Sequence, residues 1–301
     1  MLRFLPPAVR GAIALLLLVA NTLFWCALLF PPALLKLALP PDGCGHVDPL
    51  LNALAARWVR CNGAWMRLMQ PTVWDMQGLR PGCWYLVNCN HQSWADIFVL
   101  QRALDGHIPL LKFFLKQQLL YVPVIGLVWW ALDFPFMKRH SRAALRRNPM
   151  LRDEDRATTR RACAKFARVP TSVMNFAEGT RFTPAKHAAQ ASPYRHLLKP
   201  KAGALALAFG VLGSRFEALV DATIVYPAGA PTFWQFLCGR VPRIVLRVRA
   251  LPIDAALCGG DYEGDQAFRT RFHRWLAQIW EDKDQQIDAL VRGGEDALHP
   301  A

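Results

Sequence analysis

Cys83-Trp-Tyr-Leu-Val-Asn-Cys-Asn-His-Gln-Ser-Trp-Ala-Asp96, which runs on as Ile-Phe-Val-Leu-Gln-Arg-Ala-Leu104, reads as strand, turn and helix in succession. The first six residues are rich in strand formers, and Ser93 stands where an N-cap would precede a helix over 94–104. A strand that feeds a helix through a short turn is a building block of α/β sheets.

The turn carries His91 and, five positions on, Asp96. On one continuous helix that spacing would separate the two side chains by about 140°, so they would not meet. With His91 in the turn and Asp96 in the first helical turn, the chain can fold them together, and the helix dipole favours a carboxylate there. An imidazole within reach of a hydroxyl takes its proton as the oxygen attacks, while a carboxylate fixes the ring tautomer and stabilises the imidazolium. The chain has no G-x-S-x-G elbow, so the substrate itself can supply the nucleophile. A His followed by Asp at this spacing also arises by chance, and the pair alone leaves both readings open.

A second cluster, Glu178-Gly-Thr-Arg181, lies 87 residues after His91 and follows the strand-like Thr171-Ser-Val-Met-Asn-Phe176. Gly179 breaks that strand at its carboxyl end, where open α/β sheets place ligands. Arg181 offers a fork of donors suited to phosphate, and Gly179 permits close approach of the backbone. A surface turn with an internal Glu–Arg ion pair, or an arginine capping a helix, explains the same residues.

Together the clusters resemble the glycerolipid acyltransferase family, the lysophosphatidic acid acyltransferase group. Its N-H-x-x-x-x-D motif is matched by Asn90, His91 and Asp96. Its F-P-E-G-T-R motif is matched by Phe176, Glu178, Gly179, Thr180 and Arg181, with Ala177 in place of the proline. A second motif looks like Lys116, Pro123, Gly126 and Arg139, and a fourth, looser one falls on Thr223-Ile-Val-Tyr-Pro227. The resemblance covers roughly residues 70–290 and leans toward a bacterial branch similar to lysocardiolipin-type enzymes. It implies that His91 is the base and Asp96 its orienting partner. It makes Arg181, Arg139 and Lys116 phosphate contacts, with Glu178, Gly179 and Thr180 shaping the acceptor site.

Hydrophobic residues make up 53% of the 301 residues, above the ordinary globular range, and eleven tryptophans suit a membrane interface, a large aromatic core, or both. The formal charge of +14 admits nucleic acid, anionic lipid or acidic cofactors as partners. No recognition-helix, zinc-ligand or RNP-type pattern supports nucleic acid, and no metal-ligand spacing is present. The basic runs near 138–142, 146–147 and 160–161 fit a solvated helix face or an anionic bilayer surface. The eight cysteines form no C-x-x-C, which favours free thiols, and Cys89 reads as a small filler at a strand end.

Residues 11–35 carry no formal charge, and 11–30 are long enough to cross a hydrocarbon core as a helix. Pro31-Pro32 is expected to stop or sharply bend that helix. Arg3 and Arg10 favour a cytoplasmic N-terminus, yet a single crossing would then carry the catalytic part outside, away from cytosolic acyl donors. A helix lying in one leaflet, a return after the prolines, or retention by the basic remainder each resolves that conflict.

An amphipathic helix is expected near 50–69, then strands near 83–88, 108–111, 134–138, 171–176, 220–226 and 243–250, with helices over 94–104, 152–167 and 202–209. The apolar piece 121–130 reads as a core helix or a lipid-facing wall, and Phe268, Phe272, Trp275, Ile279 and Trp280 share one face of a docking helix. The expected fold is α/β, a mainly parallel central sheet flanked by helices with an N-terminal helical membrane anchor. Residues 1–70 form the anchoring region and 71–301 the catalytic domain. The expected activity is transfer of an acyl group from acyl-CoA or acyl carrier protein to a lysophospholipid hydroxyl, foremost 1-acyl-glycerol-3-phosphate, on the cytoplasmic face of a bacterial inner membrane. No cofactor is expected, and anionic membrane lipids are the expected surroundings. Lysocardiolipin, another lysophospholipid or glycerol-3-phosphate as acceptor, a non-catalytic lipid-binding protein and a hydrolase remain as alternatives.

Overall fold

The computed structural model describes residues 4–69, 73–76, 79–137, 150, 157 and 169–292. The helix expected over 152–167 and the basic runs at 138–142, 146–147 and 160–161 lie outside the described residues.

Two long helices, α1 (Pro7–Ala38) and α2 (Val47–Met69), precede a sheet built from β1 (Val73–Met76), β2 (Trp84–Cys89), β3 (Leu111–Phe113), β6 (Ser172–Phe176), β7 (Phe216–Val225) and β8 (Val245–Leu251). Its order is β1-β8-β7-β2-β6-β3, and every neighbouring pair is parallel except β7 with β8. A separate two-stranded ladder joins β4 (Leu115–Lys116) to β5 (Phe136–Met137). The helices between strands are α3 (Ala95–Leu104), α4 (Ile125–Ala131), α5 (Pro184–Gln190), α6 (Gly203–Leu212) and α7 (Phe233–Leu237), and α8 (Gln266–Arg292) follows β8.

β2 sits between β7 and β6, with both faces covered, which explains its unbroken apolar reading. On one face Tyr85, Val87 and Cys89 pack with Val99 and Leu100 of α3 and with Ala14, Trp65 and Met66 of α1 and α2. On the other, Leu86, Val173 and Leu219 meet Phe209 of α6 and Phe272, Leu276 and Trp280 of α8. Each fully buried aliphatic or aromatic side chain of this kind contributes about 1.5–3 kcal/mol.

Three expectations need correction. The strand expected over 134–138 is shorter and belongs to the small ladder, outside the central sheet. The strand expected at 108–111 begins only at Leu111. α1 does not stop at Pro31-Pro32 but runs through both to Ala38. Leu29 and Ala33, on either side of the prolines, are fully buried, and Lys36 Nζ lies 2.7 Å from both Asp48 and Asp133 and donates to the Ala131 carbonyl. Packing and a desolvated ion triad outweigh the local penalty of the prolines.

Candidate active site

β7, β2 and β6 are adjacent and parallel, so their carboxyl ends open on one edge of the sheet. From that edge β2 delivers His91, β6 delivers Glu178 through Arg181, and β7 delivers Tyr226. Asn90 locks the end of β2 to β7: its side chain donates to the Ile224 carbonyl and accepts the Ile224 N–H, both at 2.9 Å.

His91 and Asp96 meet across the turn. Nδ1 of His91 lies 2.8 Å from Oδ2 of Asp96, and the same oxygen accepts the N–H groups of Gln92 at 2.7 Å and Ser93 at 2.9 Å. Asp96 is wholly buried, and its Oδ1 accepts the Tyr226 hydroxyl at 2.6 Å. With Nδ1–H held by the carboxylate, Nε2 is the ring atom left to take a proton. The helix starts one residue later than expected, at Ala95 with Trp94 at the N-cap, and Ser93 sits just ahead of it. Its hydroxyl donates to the Pro231 carbonyl at 2.7 Å and accepts the nearby Ala95 N–H, while Asp96 reaches back to satisfy the turn.

The second cluster clamps the His91 peptide from both sides. Glu178 accepts the His91 N–H at 2.8 Å, and Phe182 N–H donates to the His91 carbonyl at 2.7 Å. The other Glu178 oxygen accepts the Leu198 N–H at 3.0 Å. Glu178 therefore holds backbone, and among the described contacts it makes no ion pair with Arg181. Burial pushes its carboxyl up to about 7, against the pull of these two donors and the Lys283 ammonium. Gly179 adopts φ 68°, a conformation that calls for glycine, with the Lys201 side chain packed against it.

Phe176 stacks on the His91 ring, centroids 3.9 Å apart, and Phe113 lies 6.3 Å beyond it. Phe113 also lines an apolar cavity of about 300 Å³ with Leu18, Ala55, Trp58, Phe98 and Trp129. At the rim, the Arg181 guanidinium lies over the half-exposed Trp94 ring, 4.8 Å from its centroid. Lys186, which the sequence reading did not single out, donates to Thr180 Oγ1 at 2.8 Å and to the Arg181 carbonyl at 2.9 Å. Lys116 ends β4, its backbone paired with Met137, and its side chain lies outside what is described. Arg139 lies outside the described residues altogether. Cys89 is fully buried, and burial pushes its thiol well above the ordinary range, which fits a filler and not a nucleophile.

The sequence pattern of the family described as Acyltransferase matches residues 72–229, more than half of the chain and both clusters. The chain belongs to the acyltransferase family. Among curated relatives of this acyltransferase, Mus musculus 1-acyl-sn-glycerol-3-phosphate acyltransferase gamma is 26% identical over 184 residues, covering 58% of this chain and 44% of the relative. The epsilon enzyme of the same organism is 25% identical over 223 residues, covering 66% and 55%. The chain thus spans about half the length of these relatives. In fold it is similar to the crystal structure of the 1-acyl-sn-glycerophosphate acyltransferase PlsC from Thermotoga maritima. That match has a TM-score of 0.53 at 15% identity and covers 95% of this chain and 98% of that one.

Proposed function

We propose that this acyltransferase moves a fatty acyl group from an acyl thioester, acyl-CoA or acyl carrier protein, to the free hydroxyl of a lysophospholipid, foremost 1-acyl-glycerol-3-phosphate to give phosphatidic acid. The observation that carries the reading is a histidine whose Nδ1 is held by a buried carboxylate and whose backbone N–H and carbonyl are held by Glu178 and by the N–H of Phe182. Nε2 takes the proton of the acceptor hydroxyl as its oxygen attacks the thioester carbonyl. The tetrahedral intermediate collapses with cleavage of the C–S bond, and the imidazolium returns the proton to the departing thiolate. Asp96 stabilises the imidazolium throughout. Arg181, Thr180 and Lys186, with Lys116 and Arg139, present positive charge and donors to the acceptor phosphate. The apolar cavity beyond Phe176 and Phe113 takes the acyl chain. Similarity to relatives named for 1-acyl-sn-glycerol-3-phosphate supports that acceptor.

We further propose that α1 lies within one leaflet of the membrane rather than crossing it, with the active site on the cytoplasmic side of a bacterial inner membrane. By length and composition α1 is able to cross, and its 32 residues extend about 48 Å. Yet it is bound to the rest of the protein along that length. Gly11 packs against Trp234 and Cys238 of the α7 region, Asn21 donates to Asn62 of α2 at 2.8 Å, and Lys36 pairs with Asp48 and Asp133. The opposite face leaves Leu16, Leu23, Phe24 and Leu37 exposed, a surface suited to lipid.

The test is incubation of the purified protein with radiolabelled acyl-CoA or acyl carrier protein and a panel of lysophospholipids and glycerol-3-phosphate, with product identification. Labelled phosphatidic acid and stoichiometric thiol release are expected, lost in a folded His91→Ala variant. Liposome binding without thiol release, acyl release with no acylated acceptor, or full activity of His91→Ala would overturn the reading. Arg181→Ala is expected to raise the acceptor KM, and an unchanged acceptor dependence in both KM and kcat would remove it from the site.

A further inference from the structure

Asp96 has two oxygens with different tasks. Oδ2 is crowded by the His91 ring and two backbone N–H groups that belong to the same turn. Oδ1 has a single donor among the described residues, the Tyr226 hydroxyl, which arrives from the end of the neighbouring strand β7, 130 positions further along the sequence. The Tyr226 ring is 4% exposed and sits in the core that also holds Ile224, Phe236 and Leu237, so the hydroxyl has little freedom to swing away. Burial, reinforced by the Asp96 charge, pushes that hydroxyl well above its ordinary range, so it stays protonated and acts as a permanent donor.

A general base has to be unprotonated when the acceptor arrives. A buried, fully charged carboxylate bonded to an imidazole draws a proton onto the ring, because the interior screens charge weakly. Donors to the carboxylate disperse that charge, and they also fix its plane and hence the ring's aim. The charged and titratable groups around the pair are Glu178 after β6, the Cys89 thiol on β2, Lys283 on α8, which acts on both of those, and Arg181 at the rim. None of these is described in contact with the carboxylate; among the described residues Tyr226 alone reaches it from outside its own turn.

Resting on the acyl-transfer reading above, we propose that Tyr226 is a positioning residue which locks Asp96 and holds the His91 ring unprotonated between turnovers. The hydroxyl touches no substrate and acts through the carboxylate.

The experiment is ¹⁵N-histidine NMR of the full-length protein in detergent micelles, with His91 assigned by difference from His91→Gln. The wild type is compared with Tyr226→Phe and with 3-fluorotyrosine placed at position 226. Loss of the donor in Tyr226→Phe is expected to raise the pH at which the ring half-titrates by about one unit. The fluorinated phenol, a stronger donor, is expected to lower it. The acid limb of the kcat/KM profile is expected to follow in the same directions. A half-titration that moves by less than about 0.2 unit in both proteins, or a uniform loss of rate with an unmoved limb, overturns the proposal. Should Tyr226→Phe fail to fold, the fluorinated protein carries the same test. Should the wild type transfer no acyl group, the functional reading falls, while the NMR titration still decides the hold of Tyr226 on the pair.

Discussion

Glu178 allows a quantitative test, because stability and pH are linked through it. Its carboxylate is wholly buried, accepts the N–H groups of His91 and Leu198, and is pushed from 4.5 up to about 7 by burial. A carboxyl raised on folding keeps its proton in the native protein at pH values where the unfolded chain has lost it. The stability it contributes is therefore fully present below about 4.5 and is lost as pH climbs to about 7. At about 1.4 kcal/mol per pH unit the rise from 4.5 to about 7 corresponds to about 3.5 kcal/mol in full, of which about 3 kcal/mol is lost by pH 7, where the native carboxyl is half-ionised. Glu178→Gln keeps the shape and removes the titration. Its amide oxygen retains one backbone N–H, and its NH₂ faces the other, donor against donor, at a pH-independent cost of about 1–3 kcal/mol.

The assay is urea unfolding of the detergent-solubilised protein at steps from pH 4.5 to 7.5, with the wild type and Glu178→Gln side by side. The stability difference, wild type minus variant, is expected to favour the wild type most at the acid end and to shrink by about 3 kcal/mol toward neutrality. Subtracting the curves cancels the other titrating groups, Asp288 among them, whose carboxyl is held below its usual range by the hydrogen bond from His196. A flat difference curve refutes the reasoning: it would mean that the two donors and Lys283 offset the desolvation in full.

Four further outcomes follow from single contacts. Asp96→Asn is expected to cost about 10²-fold in kcat rather than abolish turnover, since an amide oxygen at Oδ2 still takes the Gln92 and Ser93 N–H groups and the Tyr226 hydroxyl can turn to accept from the NH₂; unaltered kcat sinks the role of the charge. Trp94→Ala is expected to raise the acceptor KM about two- to fivefold while Trp94→Phe nearly restores it, because the ring is a platform for Arg181; equal effects of both variants count against stacking. Lys36→Ala removes the cation shared by the Asp48 and Asp133 carboxylates and should destabilise by about 3–5 kcal/mol in the same unfolding assay, with a loss below about 1 kcal/mol arguing against a desolvated triad. Ala55→Leu narrows the apolar cavity and is expected to shift the acyl chains found in product toward shorter ones; an unchanged distribution places the chain elsewhere.

The unit from Cys83 to Leu104 was legible because its signals are local: β-branched and aromatic residues, then a polar turn, then a helical face. The meeting of His91 and Asp96 followed from the same reasoning. What escaped depended on distant partners. β1 is only four residues long and owes its existence to parallel pairing with β8, about 170 positions away. Pro31-Pro32 marks a helix end by every local rule, and the triad at Lys36 together with the burial of Leu29 and Ala33 carries the helix through. Glu178 was read as shaping the acceptor site or pairing with Arg181, and no local pattern announces that both its oxygens serve backbone N–H groups. Tyr226 drew notice only within the loose fourth motif and at the end of a strand, with no role of its own. Its position at the carboxyl edge of β7, beside β2, was the available signal, and it needed the strand order to be useful.

The residues that aim His91 are themselves held from outside the region the family shares. Helix α8 begins at Gln266, beyond residue 229, yet its Asp284 accepts the N–H groups of Arg195 and His196 at 2.8 and 2.7 Å, and its Trp280 donates to the Leu198 carbonyl at 3.0 Å. Leu198 in turn gives its N–H to Glu178, and Glu178 takes the N–H of His91. One turn further along α8, Lys283 is buried with Asp221, at 2.8 Å, beneath the row in which Asn175, Asn88 and Asp221 stand side by side on β6, β2 and β7. A buried pair of this kind adds little net stability over an apolar one. What it supplies is a fixed positive charge on the closed side of the sheet, pulling Glu178 toward its ionised form while burial pushes the other way. The motif residues alone do not set that balance. It depends on how firmly α8, the last helix of the described residues, is seated, so the geometry of the base and the packing of α8 are one structural problem rather than two.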